Sequence, residues 1–143
     1  MGLVKAAGLI LFRRPCTSSI VEFLLLQASY GEHHWSPPKG HVDPGEDDLT
    51  TALRETHEES GFDKESFTVL KDFKIQLNYQ VKNKPKLVTY WLAELKDPKN
   101  KVTLSDEHQD FVWLPIAEAM QRSGYDDMQD ALKKAHEYIT RQS

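Results

Sequence analysis

The chain has 143 residues, 39% of them hydrophobic and 28% charged, and a formal net charge of −4. These values predict one compact globular domain over residues 1–143 and exclude a fibrous or largely disordered chain. The acidic balance argues against a dedicated nucleic-acid-binding protein, although it is compatible with a local basic pocket for phosphates. Because Cys16 is the only cysteine, an intramolecular disulfide and a cysteine-based zinc site are excluded.

We expect neither a targeting segment nor a membrane span in this sequence. No apolar run is long enough to cross a bilayer. The apolar stretch 6–12 is followed by Arg13-Arg14-Pro15, where a signal peptide would have small residues at its cleavage site. We therefore expect a cytoplasmic protein with access to the nucleus. No exposed apolar helix face predicts a partner, so we expect a monomer.

The first part of the chain predicts two buried strands. Residues 3–14 and 20–28 are rich in Leu, Val and Ile, and the polar turn at 15–19 favours a hairpin between them. Glycine and proline over 29–38 predict a loop that leads into the next element.

A helix follows this loop, and two of its faces differ in character. It is expected to begin near Glu46 or Asp47 and to end before Gly61, which suits the left-handed position after a helix. A mostly apolar stripe is formed by Leu49, Ala52, Leu53 and Thr56. The neighbouring face holds Glu55, Glu58 and Glu59. Like charges so close repel one another, so this face predicts that cations lie between the carboxylates.

The remaining chain predicts three strands and two helices. The strands are expected over 67–79, 86–95 and 111–114, and the helices over 115–122 and 126–141. The first two of these strands flank a basic tip at 82–86.

The stretch 40–62 fits the pattern G-x5-E-x7-R-E-U-x-E-E-x-G-U, where U is a bulky aliphatic or aromatic residue. The pattern is filled by Gly40, Glu46, Arg54, Glu55, Thr56, Glu58, Glu59, Gly61 and Phe62. Thr56 is the single departure, since it is β-branched but carries a hydroxyl. Glutamate-rich spacing is usually just a charged helix surface, but the complete pattern resembles the Nudix box.

This resemblance implies an α/β fold, a Nudix α/β/α sandwich with a central mixed β-sheet. It also implies that Glu55, Glu58 and Glu59 are metal ligands, one of them a candidate to relay a proton, and that Arg54 pairs with the box glutamates. Carboxylate oxygens are hard ligands that suit Mg²⁺, with Mn²⁺ able to substitute. Such ions neutralise charge on a polyphosphate and lower the pKa of an attacking water.

Segments beyond the box carry a second resemblance. They are FLLLQAS at 23–29, HHWSPPKGHVDPGEDD at 33–48, NKPK at 83–86, YWLAE at 90–94 and LSDEHQ at 104–109. These segments resemble the animal-type asymmetrical diadenosine tetraphosphate hydrolases. The resemblance implies a dinucleoside polyphosphate substrate, cleaved to ATP and AMP.

Charged residues outside the helix complete the expected polar site. In the resembling family, the glutamate that matches Glu107 reaches the metal site as ligand or base; the alternative is an exposed loop glutamate. The neighbouring His108 is either a ligand or a hydrogen-bonded loop histidine. Lys39, Lys84 and Lys86 are candidate phosphate contacts, although a lysine-rich tip is often only solvated.

Aromatic residues provide the expected base site. Tyr79 and Tyr125 match positions that clamp an adenine ring in this branch, and stacking of this kind tolerates different bases. Each could instead be an ordinary packing aromatic. Tyr90 is a candidate phosphate contact. His34 is included as a substrate contact, whereas an aromatic such as Trp35 before a Pro-Pro turn more often has a packing role.

Two alternative functions stay open at this point. The same box serves enzymes that hydrolyse nucleoside triphosphates, nucleotide sugars, inositol pyrophosphates or RNA 5′ ends. The chain could also be a catalytically silent module that binds nucleotides, although the intact Arg54, Glu55, Glu58 and Glu59 argue against this.

Overall fold

A computed structural model describes residues 3–15, 20–29, 33–81 and 83–142 of the chain. Its strands are β1 (Val4–Arg13), β2 (Glu22–Ala28), β3 (Trp35–Ser36), β4 (Lys39–His41), β5 (Phe67–Val81), β6 (Lys84–Leu95) and β7 (His108–Leu114). Its helices are α1 (Asp48–Ser60), α2 (Ile116–Ser123) and α3 (Asp126–Gln142). Most of the predicted turn at 15–19, and Lys82 of the predicted basic tip, lie outside the described residues.

Strand β1 is the centre of a mixed sheet. It pairs in parallel with β6, from Val4 opposite Lys86 to Phe12 opposite Glu94. It pairs antiparallel with β2 only near its end, and β6 pairs antiparallel with β5. The antiparallel β1–β2 pairing was predicted, whereas the longer pairing with β6 joins segments far apart in the chain.

Alternating residues of β1 and β2 face two separate apolar layers. Ile10 and Phe12 lie in the layer that includes Leu132 of α3, whereas Leu9 and Leu11 lie in the layer that includes Ala52 of α1. Burial on both faces explains the nearly continuous apolar runs of these strands. The sheet therefore lies between α1 on one side and α2 and α3 on the other, which confirms the predicted α/β/α sandwich.

The prediction of a loop over 29–38 is wrong in part, because this segment contains β3 and leads directly into β4. Trp35 of β3 pairs with Gln27, and Lys39 of β4 pairs with Gly8. A Cβ at Gly8 would lie 2.2 Å from the carbonyl oxygen of Pro38, so the glycine allows this close approach. Pairing to strands distant in the chain thus overrides the local loop signal.

The predicted bounds of α1 are confirmed. Asp47 caps the helix, since its carboxylate accepts the N–H of Thr50 at 2.7 Å. Gly61 has a φ of 82° and donates its N–H to the carbonyl oxygen of His57. Strand β7 begins three residues earlier than predicted, because His108 also pairs with β2. No helix in the described part of the chain is long and apolar enough to cross a membrane.

Candidate active site

Arg54 holds the carboxylates at one edge of α1 in fixed positions. Its Nε and Nη2 donate to the two carboxylate oxygens of Glu46 at 2.7 and 3.0 Å. Its Nη1 donates to Glu55 at 3.0 Å and to Glu58 at 3.2 Å. Hydrogen bonds from Arg54 are the main reason that the pKa of Glu46 falls to about 2. Glu46 is one of the box glutamates with which Arg54 was expected to pair, although the sequence did not single it out.

Two carboxylates of α1, those of Glu55 and Glu59, are partly or fully buried. Glu59 is only 6% exposed and accepts the backbone N–H of Lys39 at 3.1 Å. Burial raises the pKa of Glu59 to about 8, against the opposing effect of Lys39. Burial, and then the charge of Glu58, raises the pKa of Glu55. Burial at this edge therefore disfavours the charged form of both carboxylates.

Gly40 of β4 leaves the space in which the Glu55 carboxylate lies. A Cβ at position 40 would be 2.0 Å from Cδ of Glu55 and 2.3 Å from each of its oxygens. Any other residue would displace this carboxylate or the strand. The glycine at the first position of the box pattern thus has a direct steric reason in this chain.

The donor set fits a hard divalent cation in its chemistry. Four carboxylates approach this edge, those of Glu55, Glu58, Glu59 and Glu107, and oxygen is the ligand that Mg²⁺ and Mn²⁺ prefer. Within the described residues, no three histidine, cysteine or acidic side chains are already arranged around one ion position. Glu55 and Glu58 are bonded to Arg54 instead, and Glu59 to a backbone N–H.

A polar cleft of about 320 Å³ opens beside these carboxylates, and we call it the acidic cleft. It is lined by Lys39, Gly40, His41, Asp43, Glu55, Glu59, Lys86, Glu107 and His108. Glu107 enters from the loop before β7, where its carbonyl oxygen accepts the N–H of Ser29 at 2.9 Å. The end of β2 thus holds this loop, and Glu107 lies in the same cleft as two box glutamates.

Burial favours the uncharged form of two histidines in the acidic cleft. Burial, followed by the nearby lysines, lowers the pKa of His41. Burial and Lys39 lower the pKa of His108, whose Nε2 lies 3.9 Å from Glu59. His41 was missed in the sequence, where only its place directly after Gly40 could have indicated it.

A second cleft, of about 300 Å³, is mainly apolar, and we call it the aromatic cleft. It is lined by His34, Trp35, Ser36, Lys39, Tyr79, Gln80, Lys86, Val88, Tyr90, Tyr125 and Met128. Tyr125 is 48% exposed, and its hydroxyl lies 2.9 Å from Nε2 of His34. Lys39 and Lys86 line both clefts, so the two clefts adjoin at these cations.

Not every predicted site residue lines a cleft. Lys84 is exposed at the start of β6, and Glu58 is exposed beside Arg54; neither lines the acidic or the aromatic cleft. Tyr90 is 1% exposed and lies in the wall of the aromatic cleft. Trp35, for which packing was favoured, packs against the apolar layer of α3 and also lines the aromatic cleft.

The fold and the site define the class of protein. A family model described as "NUDIX domain" matches residues 2–135. The chain belongs to the NUDIX family, which confirms the resemblance read from the box.

Individual relatives sharpen this placement. The chain is 50% identical over 140 residues to the mouse bis(5'-nucleosyl)-tetraphosphatase [asymmetrical], covering 95% of each chain. It is 47% identical over 137 residues to the Caenorhabditis elegans protein of that name, covering 96% and 97% of the two chains. It is also similar to the crystal structure of a C. elegans Ap4A hydrolase binary complex, with a TM-score of 0.92, 47% identity and coverage of 96% and 98%. The second resemblance, to the asymmetrical hydrolases, is thereby confirmed.

Proposed function

We propose that the chain hydrolyses diadenosine tetraphosphate asymmetrically, to ATP and AMP. The observation that carries this proposal is the junction of the acidic and aromatic clefts at Lys39 and Lys86. A nucleotide base needs an aromatic surface, and a polyphosphate needs cations and metal-binding carboxylates beside it. The similarity to asymmetrical tetraphosphatases over most of the chain supports the same substrate.

The aromatic cleft suits one adenine. Tyr79 and Tyr125 line it together with other apolar side chains, and stacking on such rings is worth about 1–3 kcal/mol per base. Burial raises the pKa of Tyr79 to about 12, so its hydroxyl keeps its proton at neutral pH. Lys39 and Lys86 lie where the phosphate chain would leave the base. Burial lowers the pKa of Lys86, and a charged amine in this partly buried place attracts an anion more strongly than it would in water.

The acidic cleft suits hydrolysis of the phosphate chain. Mg²⁺ or Mn²⁺ held by Glu55, Glu58, Glu59 and Glu107 would neutralise phosphate charge and make a bound water more acidic. Arg54 keeps the α1 carboxylates in position through charged hydrogen bonds. The carboxylate of Glu59 or of Glu107 would accept the proton of the attacking water, and a nucleoside triphosphate would leave.

Product analysis tests this proposal. Purified protein with Mg²⁺ should convert diadenosine tetraphosphate to equal amounts of ATP and AMP, separated by ion-exchange chromatography. Formation of ADP alone, or recovery of the intact dinucleotide, would overturn the substrate assignment. Nucleoside triphosphates, nucleotide sugars and 5′-triphosphate RNA assayed in parallel should react more slowly; faster turnover of one of them would replace the assignment.

The attacked phosphorus follows from the same assay in isotopically labelled water. The oxygen of the attacking water stays on the phosphorus that it attacks, so mass spectrometry of ATP and AMP identifies that atom. Binding of the dinucleotide with no Mg²⁺-dependent turnover would instead support a silent nucleotide-binding module.

A further inference from the structure

Arg122 does not line the aromatic cleft, but it contacts Trp35, which does. It lies in the last turn of α2, with its guanidinium carbon 4.9 Å from the centroid of the Trp35 ring. This distance is within the range of a cation–π contact. Trp35 lines the aromatic cleft, whereas Arg122 lines neither that cleft nor the acidic one.

The backbone alone holds the Trp35 side chain weakly. Strand β3 has two residues, paired with β2 at Gln27–Trp35 and Leu26–Ser36. Such a short strand fixes the main chain, but a half-buried indole can still exchange between staggered rotamers. A planar guanidinium over the indole restricts that exchange from the side of α2.

A second contact joins the same two segments. The rings of His34 and Tyr125 have centroids 5.0 Å apart, and the tyrosine hydroxyl lies within hydrogen-bond distance of His34. Arg122 and Tyr125 flank the turn at Gly124, which has a φ of 78°. His34 and Trp35 thus contact the two sides of the α2–α3 turn, His34 through Tyr125 and Trp35 through Arg122.

We propose that Arg122 is a positioning residue for base recognition. It holds Trp35 in the orientation that forms the wall of the aromatic cleft, and so prepares the cleft before the base enters. This inference rests on the proposed function, because it assumes that the aromatic cleft takes a nucleotide base. Arg122 acts on binding and has no part in the chemical step, which takes place in the acidic cleft.

Replacement of Arg122 should separate KM from kcat. Arg122→Ala is expected to raise KM for diadenosine tetraphosphate about two- to fivefold, the size of an exposed cation–π contact, with kcat unchanged. Arg141→Ala is the control, since it removes the same charge from an exposed position of α3. Arg141 lies about 20 Å along the helix from Met128, which lines the aromatic cleft, so neither KM nor kcat should change. An unchanged KM in Arg122→Ala, or an equal rise in Arg141→Ala, would overturn the proposal.

A double-mutant cycle tests whether the effect passes through Trp35. In a Trp35→Leu background, Arg122→Ala should have no further effect on KM. If it still raises KM there, Arg122 contacts the substrate directly and is not a positioning residue. Should Trp35→Leu fail to fold, Trp35→Phe serves instead, with a smaller effect of Arg122→Ala because phenylalanine is the weaker cation–π partner.

Binding measured without turnover keeps this inference separate from the proposed reaction. Calorimetry with diadenosine tetraphosphate in EDTA should give a Kd about two- to fivefold higher for Arg122→Ala than for the unmodified chain. That result supports the role of Arg122 even if the products prove not to be ATP and AMP. Equal Kd values, together with normal formation of ATP and AMP, would overturn the role of Arg122 and leave the proposed function intact.

Discussion

The acidic and aromatic clefts adjoin, yet they are built in opposite ways. Two carboxylates of the acidic cleft, those of Glu55 and Glu59, come from one helix, and Arg54 holds Glu55 with a charged hydrogen bond of 3.0 Å. Beside the cleft, Arg54 also donates hydrogen bonds of 2.7–3.2 Å to Glu46 and Glu58. The aromatic cleft is assembled from three separate parts of the chain, which are residues 34–39, the paired strands β5 and β6, and the start of α3. Its contacts are mostly apolar, and Tyr125 is half exposed.

This difference predicts a division of labour. Fixed charges near the reacting phosphorus contribute most where charge develops in the transition state, and so they affect kcat. Stacking surfaces bind ground state and transition state alike, and so they affect KM. Substitutions in the acidic cleft should therefore change mainly kcat, and substitutions in the aromatic cleft mainly KM.

The largest expected effect is that of Glu59→Gln, in the acidic cleft. It keeps the shape of the side chain but removes the proposed metal ligand and proton acceptor, so kcat should fall by about 100-fold or more, with KM nearly unchanged. Near pH 7, thermal unfolding should stay close to that of the unmodified chain, because the Glu59 carboxyl is protonated there and Gln keeps an acceptor for the Lys39 N–H. The exposed Glu65→Gln is the matched control and should keep full activity. Full activity of Glu59→Gln would show that this carboxylate has no catalytic role.

Arg54→Lys should have the next largest effect. Lysine keeps the positive charge but cannot make the paired hydrogen bonds to Glu46. We expect the Mg²⁺ concentration for half-maximal activity to rise about 10–100-fold, as is typical when a residue that orients metal ligands is lost. A Mg²⁺ titration of both proteins measures this shift. The same substitution at Arg141 should change nothing, and an unaltered Mg²⁺ dependence of Arg54→Lys would contradict the role given to Arg54.

Tyr125→Ala should weaken binding in the aromatic cleft. Because Tyr125 is half exposed, its stacking belongs at the low end of the usual range, and KM should rise about fivefold with kcat unchanged. Steady-state kinetics with diadenosine tetraphosphate measure both constants. Tyr125→Phe keeps the ring and should recover most of the loss. A fall in kcat with constant KM would place Tyr125 in the chemical step instead.

The raised pKa of Glu59 predicts a pH effect on the metal-free protein. The folded carboxyl holds its proton up to about pH 8, whereas the ordinary value is 4.5. Its contribution to the free energy of unfolding is therefore complete below about pH 4.5 and is lost as the pH rises through about 8. In EDTA, the unmodified chain should lose several more degrees of Tm between about pH 5 and 8 than Glu59→Gln. Parallel Tm curves for the two proteins would contradict the raised pKa.

The smallest effect concerns Thr56, the single departure from the box pattern. Its hydroxyl is buried and has no hydrogen-bond partner among the described residues. Thr56→Val replaces it with a methyl group and should raise the free energy of unfolding by about 1 kcal/mol, or Tm by about 2–4 °C. Activity should not change, because Thr56 lines neither cleft. A lower Tm would mean that the hydroxyl stabilises the native state.

The same contrast explains what the sequence could predict. The bounds of α1, the three glutamates and Arg54 lie within one local pattern, so their spacing was enough to place them together. The meeting of Glu107 with Glu59, and of Tyr79 with Tyr125, depends on the sheet order, and only family resemblance indicated it. His41 and Arg122 carry no local pattern, since their positions follow from strand pairing and helix packing. Cytoplasmic location, a monomeric state and a single domain over 1–143 stay predictions.

A crystal structure with Mg²⁺ and a non-hydrolysable analogue of diadenosine tetraphosphate would test the two-cleft arrangement most directly. We expect one adenine between Tyr79 and Tyr125, metal bound to Glu55 and Glu59, and the phosphate chain against Lys39 and Lys86. Metal bound away from α1, or both adenines outside the aromatic cleft, would contradict it.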